Sequence, residues 1–102
     1  MQELIQFRKE LHASPELSGQ EEDTARRVLK FLQQFHPTKI IQGIGGHGLV
    51  AIYEFSADAP AVLIRCELDA LPIAEKNDFP HRSNTPGVSH KCGHDGHMAI
   101  LC

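Results

Sequence analysis

The chain has 102 residues, 41% of them apolar and 23% charged, and a formal net charge of -3; this suits one modest core and lacks the basic footprint that nucleic acid or an anionic lipid surface requires. No apolar run reaches the roughly 18 residues of a membrane span, and Met1-Gln2-Glu3-Leu4 has neither the basic nor the apolar region of a secretory signal, so no membrane association is expected and the cytoplasm is the expected compartment. Three cysteines, Cys66, Cys92 and Cys102, are an odd number and read as reduced thiols or a metal ligand, not as a disulfide framework.

Residues 1–12 carry apolar side chains near helical spacing at Met1, Leu4, Ile5 and Leu11, which predicts an amphipathic helix that stops before Pro15. Ser18-Gly19-Gln20-Glu21 has the form of a capping box. It should open a second helix whose buried stripe is Thr24, Val28, Leu32 and Phe35, ended by His36-Pro37. Residues 39–42 read as a short strand and 49–55 as a second, rich in side chains that suit a pleated surface. Ala61-Val62-Leu63-Ile64 is a continuous apolar run, expected as a strand buried on both faces and paired with 49–55 in a hairpin. Residues 71–88, with Pro72, Pro80, Pro86, Gly87, Asn77 and Asn84, predict a long loop of the kind that is usually functional. From His97 a last helix begins, with Asp95 placed to cap it.

Seven histidines are present, and His90, His94 and His97 cluster with Cys92 in His90-Lys91-Cys92-Gly93-His94-Asp95-Gly96-His97. Thiolate and neutral imidazole both suit zinc and similar divalent ions, and two looped residues in an i, i+2 relation can face one point. Cys92 and His94 are therefore the candidate ligand pair, set against the plainer reading of a buried thiol near a solvated histidine. Two ligands leave a site incomplete, with His90 and His97 as neighbouring candidates. Glu67-Leu68-Asp69 closes the third expected strand and could bind metal or orient a histidine; alone, such a pair is more often a solvated strand end. Gly43-Ile44-Gly45-Gly46-His47-Gly48 has the glycine spacing of a dinucleotide-binding turn, but a strand follows it where that motif needs a helix, so a strand connection is expected. Cys66 and Cys102 read as small buried apolar residues.

These segments together resemble the metal-dependent amidohydrolases that include hippurate hydrolases, N-acyl-amino-acid deacylases and auxin-conjugate hydrolases. Arg8-Lys9-Glu10-Leu11-His12 with Pro15-Glu16-Leu17 resembles the opening helix and turn of that family, and Gly43-Ile44-Gly45-Gly46 its strand connection. Arg65-Cys66-Glu67-Leu68-Asp69-Ala70-Leu71-Pro72-Ile73, followed by Glu75, resembles its first acidic motif. Residues 87–97 resemble its metal-binding signature. The chain departs from the family at Glu67, where aspartate is common, and at Cys66 and Lys91, where alanine is usual.

The resemblance implies an α/β fold, the N-terminal part of a zinc-peptidase-like domain over residues 1–102, with a mixed sheet flanked by helices in the order helix-helix-strand-strand-strand-loop-helix. It makes Cys92 and His94 metal ligands and Asp69 a residue that orients the site. It implies two divalent ions, of zinc, manganese, cobalt or nickel, and hydrolysis of an amide bond in a small N-acyl amino-acid or peptide-like substrate. No catalytic residue falls within the chain, because complete members supply the general base and remaining ligands further on; alone, it is expected to be inactive. The alternative is a small noncatalytic metal-binding or interaction module that uses Cys92, His94 and a neighbouring histidine, with homo-oligomerisation as a way to complete its site.

Overall fold

Apolar spacing sets the first two helices of the computed structural model, which describes residues 1–102: α1 spans Gln2–Ala13 and α2 spans Glu22–Gln33. The stripe that α1 buries is centred on Phe7 and Leu11, one turn apart, while Met1 and Ile5, expected in it, are exposed. The reason is Phe7, which stacks on Phe31 of α2 with ring centroids 4.2 Å apart. Ile5 lies about 200° round the helix from Phe7 and cannot share that face.

Helix α2 buries Thr24, Val28 and Leu32 as its spacing predicts, but Phe35 lies beyond the last turn and is half-exposed. The expected capping box does not form, for Glu21 occupies the cap position and makes no side-chain cap bond. Glu16 reaches the unpaired donors first. Its Oε1 accepts from Thr24 N at 2.5 Å and Thr24 Oγ1 at 2.6 Å, and its Oε2 from Asp23 N at 3.4 Å. A carboxylate there also meets the positive end of the helix dipole.

Strands β1, Lys39–Ile44, and β2, Gly48–Ile52, form an antiparallel hairpin in which Lys39 faces Ile52 and Ile44 faces Gly48. The register shifts between Gln42 and Ile44, where Gly43 bulges at a φ of 76° that favours glycine. At Gly48 a side chain would collide with the Ile44 carbonyl. The glycine-rich stretch is thus a hairpin turn, and no helix follows it.

The third expected strand is absent. Val62, Leu63 and Ile64 are 85%, 82% and 74% exposed and pair with nothing, and the partner of β2 is β1 rather than residues 61–64. In place of a mixed sheet there are two antiparallel strands, so the order is helix-helix-strand-strand-loop-helix. A strand buried on both faces needs neighbours along its edges and a layer over each side. One hairpin and three short helices supply neither.

Helix α3, His94–Leu101, packs against α1, and Phe7, Leu11, Val28, Leu32, Met98 and Ala99 form the core. Each large side chain buried there contributes about 1.5–3 kcal/mol. The long loop before α3 is pinned although it holds no strand. Leu71 and Ser89 exchange two backbone bonds of 3.0 Å, Ser89 Oγ donates to the Ile73 carbonyl, and Asn84 N donates to the Ala13 carbonyl at 2.8 Å. No helix is long and apolar enough to cross a membrane.

Candidate metal centre

Cys92 and His94 flank Gly93, whose φ of 90° turns the loop into α3. Asp95, expected to cap this helix, instead lies in its first turn, and Gly93 holds the cap position. The chain leaves Cys92 free on the surface and sends the His94 ring inward, where it is buried. This inverts the plainer expectation of a buried thiol beside a solvated histidine.

The His94 ring meets both acidic residues that the sequence brings to the front. Its Nδ1 lies 2.8 Å from the Asp69 carbonyl oxygen and 3.1 Å from Asp69 Oδ1, and its Nε2 lies 2.8 Å from Glu67 Oε2. The carbonyl can only accept, so Nδ1 carries the hydrogen and donates it, which leaves the lone pair on Nε2. Glu67 presents that nitrogen with another acceptor. A proton or a cation must therefore stand between them for the contact to be attractive. The Glu67 and Asp69 side chains are 49% and 28% exposed, so this side of the ring is open to an arriving ion.

His90 is buried beneath the same loop, and neither ring nitrogen has a partner. Burial pushes its imidazole below the ordinary value, with the Asp95 carboxylate opposing. A neutral ring with donor and acceptor both unmet is what a ligand or a positioned water would satisfy. His97 is exposed one turn into α3. Glu67 and Asp69 meet the His94 ring at its two different nitrogens, and no group of three or more histidine, cysteine or acidic side chains is placed to hold a metal ion. By chemical type alone, a thiol, an imidazole with its other nitrogen tied to a carbonyl, and carboxylates suit a divalent ion of intermediate softness.

Sequence reasoning assigned no role to His12, Glu75 or Asp95 in the site. His12 is on the last turn of α1, with Nδ1 2.8 Å from Asp95 Oδ2 and Nε2 2.7 Å from Glu75 Oε1. Arg8 Nε also reaches Asp95 Oδ2 at 2.8 Å, and Lys91 pairs with the second oxygen of Glu75. The Lys91 ammonium, then the His12 bond, pull the Glu75 carboxyl down to about 2 from an ordinary 4.5. Burial alone would raise Asp95, but the His12 bond and the Arg8 charge outweigh it and hold that carboxyl below its usual value. One signal was available: a histidine beside Leu11 on the buried side of an amphipathic helix needs a polar partner.

Cys66 and Cys102 are half-buried against the core, and burial pushes both thiols up, Cys102 to about 11. They pack as small apolar residues, as the sequence predicts.

The chain is 44% identical over 105 residues to an N-acyl-L-amino acid amidohydrolase of Geobacillus stearothermophilus, an alignment covering 97% of this chain and 26% of the relative. An N-acetylcysteine deacetylase of Bacillus subtilis is 36% identical over 98 residues, covering 96% and 26%. Among solved structures, the Bacillus subtilis YXEP protein, a dinuclear metal binding peptidase from the M20 family, superposes with a TM-score of 0.88 at 36% identity over 96% of this chain and 27% of that one. No family model matches. The chain spans about a quarter of the length of the curated relatives it matches. Sequence and fold agree over nearly all 102 residues, so the chain is similar along nearly its whole length to about a quarter of these amidohydrolases and of an M20-family peptidase.

Proposed function

We propose that residues 1–102 are the N-terminal portion of the catalytic domain of a cytoplasmic metal-dependent amidohydrolase that cleaves the amide bond of N-acyl amino acids or peptide-like conjugates. Cys92 and His94 are two of its metal ligands, and Asp69 orients His94. The observation that carries this reading is the His94 ring, with Nδ1 held by the Asp69 carbonyl and Nε2 turned to the Glu67 carboxylate. Metal-binding histidines are commonly held in this way, with the far nitrogen tied to a carbonyl or carboxylate. The relatives' names supply the substrate class, and they favour an enzyme over a small noncatalytic module.

A divalent ion held there would supply Lewis-acid polarisation of the amide carbonyl and activation of water. The residues of this chain do the holding: Cys92 offers a thiolate from the surface, His94 an imidazole of fixed tautomer, and Glu67 a negative charge at the open edge. Zinc, manganese, cobalt and nickel all tolerate such donors. Two ions need more ligands than these, and hydrolysis needs a general base; both would come from the rest of a protein about four times as long. The 102-residue chain alone therefore leaves N-acyl amino acids intact.

The test is metal content of the purified chain after exposure to zinc and dialysis. Stoichiometric zinc is expected in the native chain and a marked loss in Cys92→Ser and in His94→Ala. Unchanged zinc in Cys92→Ser would overturn the ligand assignment. Chelator-sensitive amide hydrolysis by the 102 residues themselves would overturn their proposed inactivity.

A further inference from the structure

We infer that His12 is a positioning residue that clamps the Cys92-Gly93-His94 turn from both flanks; the inference rests on the metal-site reading above. Lys91 immediately precedes this turn and Asp95 immediately follows it. Both are fastened to one imidazole, through Glu75 on one side and directly on the other. Arg8 adds a second hold on Asp95 from one turn earlier in α1. Nitrogen-bearing side chains and carboxylates thus alternate from Lys91 through Glu75, His12 and Asp95 to Arg8.

The side chains of His12, Asp95 and Glu75 are only 5%, 1% and 5% exposed. Ionised carboxylates accept and never donate, so the two contacts are both satisfied only when both ring nitrogens carry hydrogen. Losing the ring would leave two buried anions without their shared partner, which is far costlier than losing a surface pair. Phe79 and His81, stacked on each other at 4.0 Å, meet the ring tilted and edge-on at 5.5 and 5.6 Å. Neighbouring donors that set ligand direction influence metal affinity even though they never touch the ion.

Helix α1 is therefore the anchor for a turn more than 80 residues away, since His12 and Asp95 are 83 positions apart. Without the clamp, Gly93 is free to swing, and the thiol and the imidazole lose their common orientation. Glutamine at position 12 can donate to one carboxylate only and would face the other with its own oxygen. It should release at least one flank.

The experiment is a cobalt(II) titration of the purified 102-residue chain, followed by its thiolate charge-transfer and d–d bands. Circular dichroism monitors folding, and Val28→Ala serves as a core-destabilised control remote from the turn. His12→Gln should weaken cobalt binding about 10- to 100-fold and shift the d–d bands, whereas Val28→Ala should keep native affinity and bands. Glu75→Gln, which releases only the Lys91 end, should show a smaller weakening in the same direction. Native affinity and spectrum in both His12→Gln and Glu75→Gln, with helical signal retained, overturn the clamp. Absence of any Cys92-dependent band in the unsubstituted chain overturns the metal reading itself and the clamp with it, and that outcome is read before any position-12 variant is made.

Discussion

At the scale of single residues, the Glu75 carboxylate receives Lys91 on one oxygen and His12 on the other, and this pairing determines how the molecule responds to acid. Its folded value near 2 lies below the ordinary 4.5, so across that interval the unfolded chain binds the proton more readily. The stabilisation is fully present above pH 4.5 and is lost as pH falls toward 2; Asp95, also depressed, adds to the same trend. Urea unfolding between pH 6 and 2.5 should show the native chain weakening steadily below about 4.5 and Glu75→Gln responding less. An equal slope in both would remove the pairing as its cause. The residues that gather here differ in how far they could be read from sequence. His94 stood out because Cys92 and the glycines lie beside it. The partners of His12 are 63 and 83 positions away, and no local pattern carries that information.

At the scale of elements, α2 owes its start to a carboxylate outside it. Glu16→Ala should destabilise the chain by about 1 kcal/mol, in the range of a lost helix cap, while Ser18→Ala should be nearly neutral because Ser18 makes no capping bond. Denaturant midpoints of the two variants decide between Glu16 and the capping box the sequence suggests. The error is instructive, since both Ser18 and Glu16 can accept from the first turn and only the path of the chain through Gly19, at φ 84°, chooses between them. Helices α1 and α2 and the glycine connection between two strands were legible because their hydrogen bonds close locally, but the hairpin was expected between 49–55 and 61–64, whereas β2 pairs with β1. Residues 61–64 have the composition of a buried strand, but strand formation depends on partners, and composition cannot say whether those partners are present. The acidic pair behind them still converges on His94 without any strand to carry it.

At the scale of the whole molecule, burial is sparse: 14 of 102 residues are buried, and the radius of gyration of 14.5 Å exceeds the roughly 13 Å of a compact domain this size. Val62, Leu63 and Ile64 leave a run of apolar surface with open backbone, a surface that invites pairing between copies. Sedimentation of the purified chain should show self-association that rises with concentration, and Leu63→Lys should reduce it; an unchanged profile would clear this run of responsibility. By contrast, the mutual bonds between Leu71 and Ser89 close residues 72–88 into an excursion with one backbone doorway, fastened to α1 besides by Asn84 N on the Ala13 carbonyl and by Glu75 on His12. Its outermost point, Lys76-Asn77-Asp78, is solvent-facing. Splicing a few residues in beside Asn77, or cutting the backbone after Lys76, lengthens or opens the excursion while the doorway stays latched, so tags and reporters belong there rather than at the hairpin.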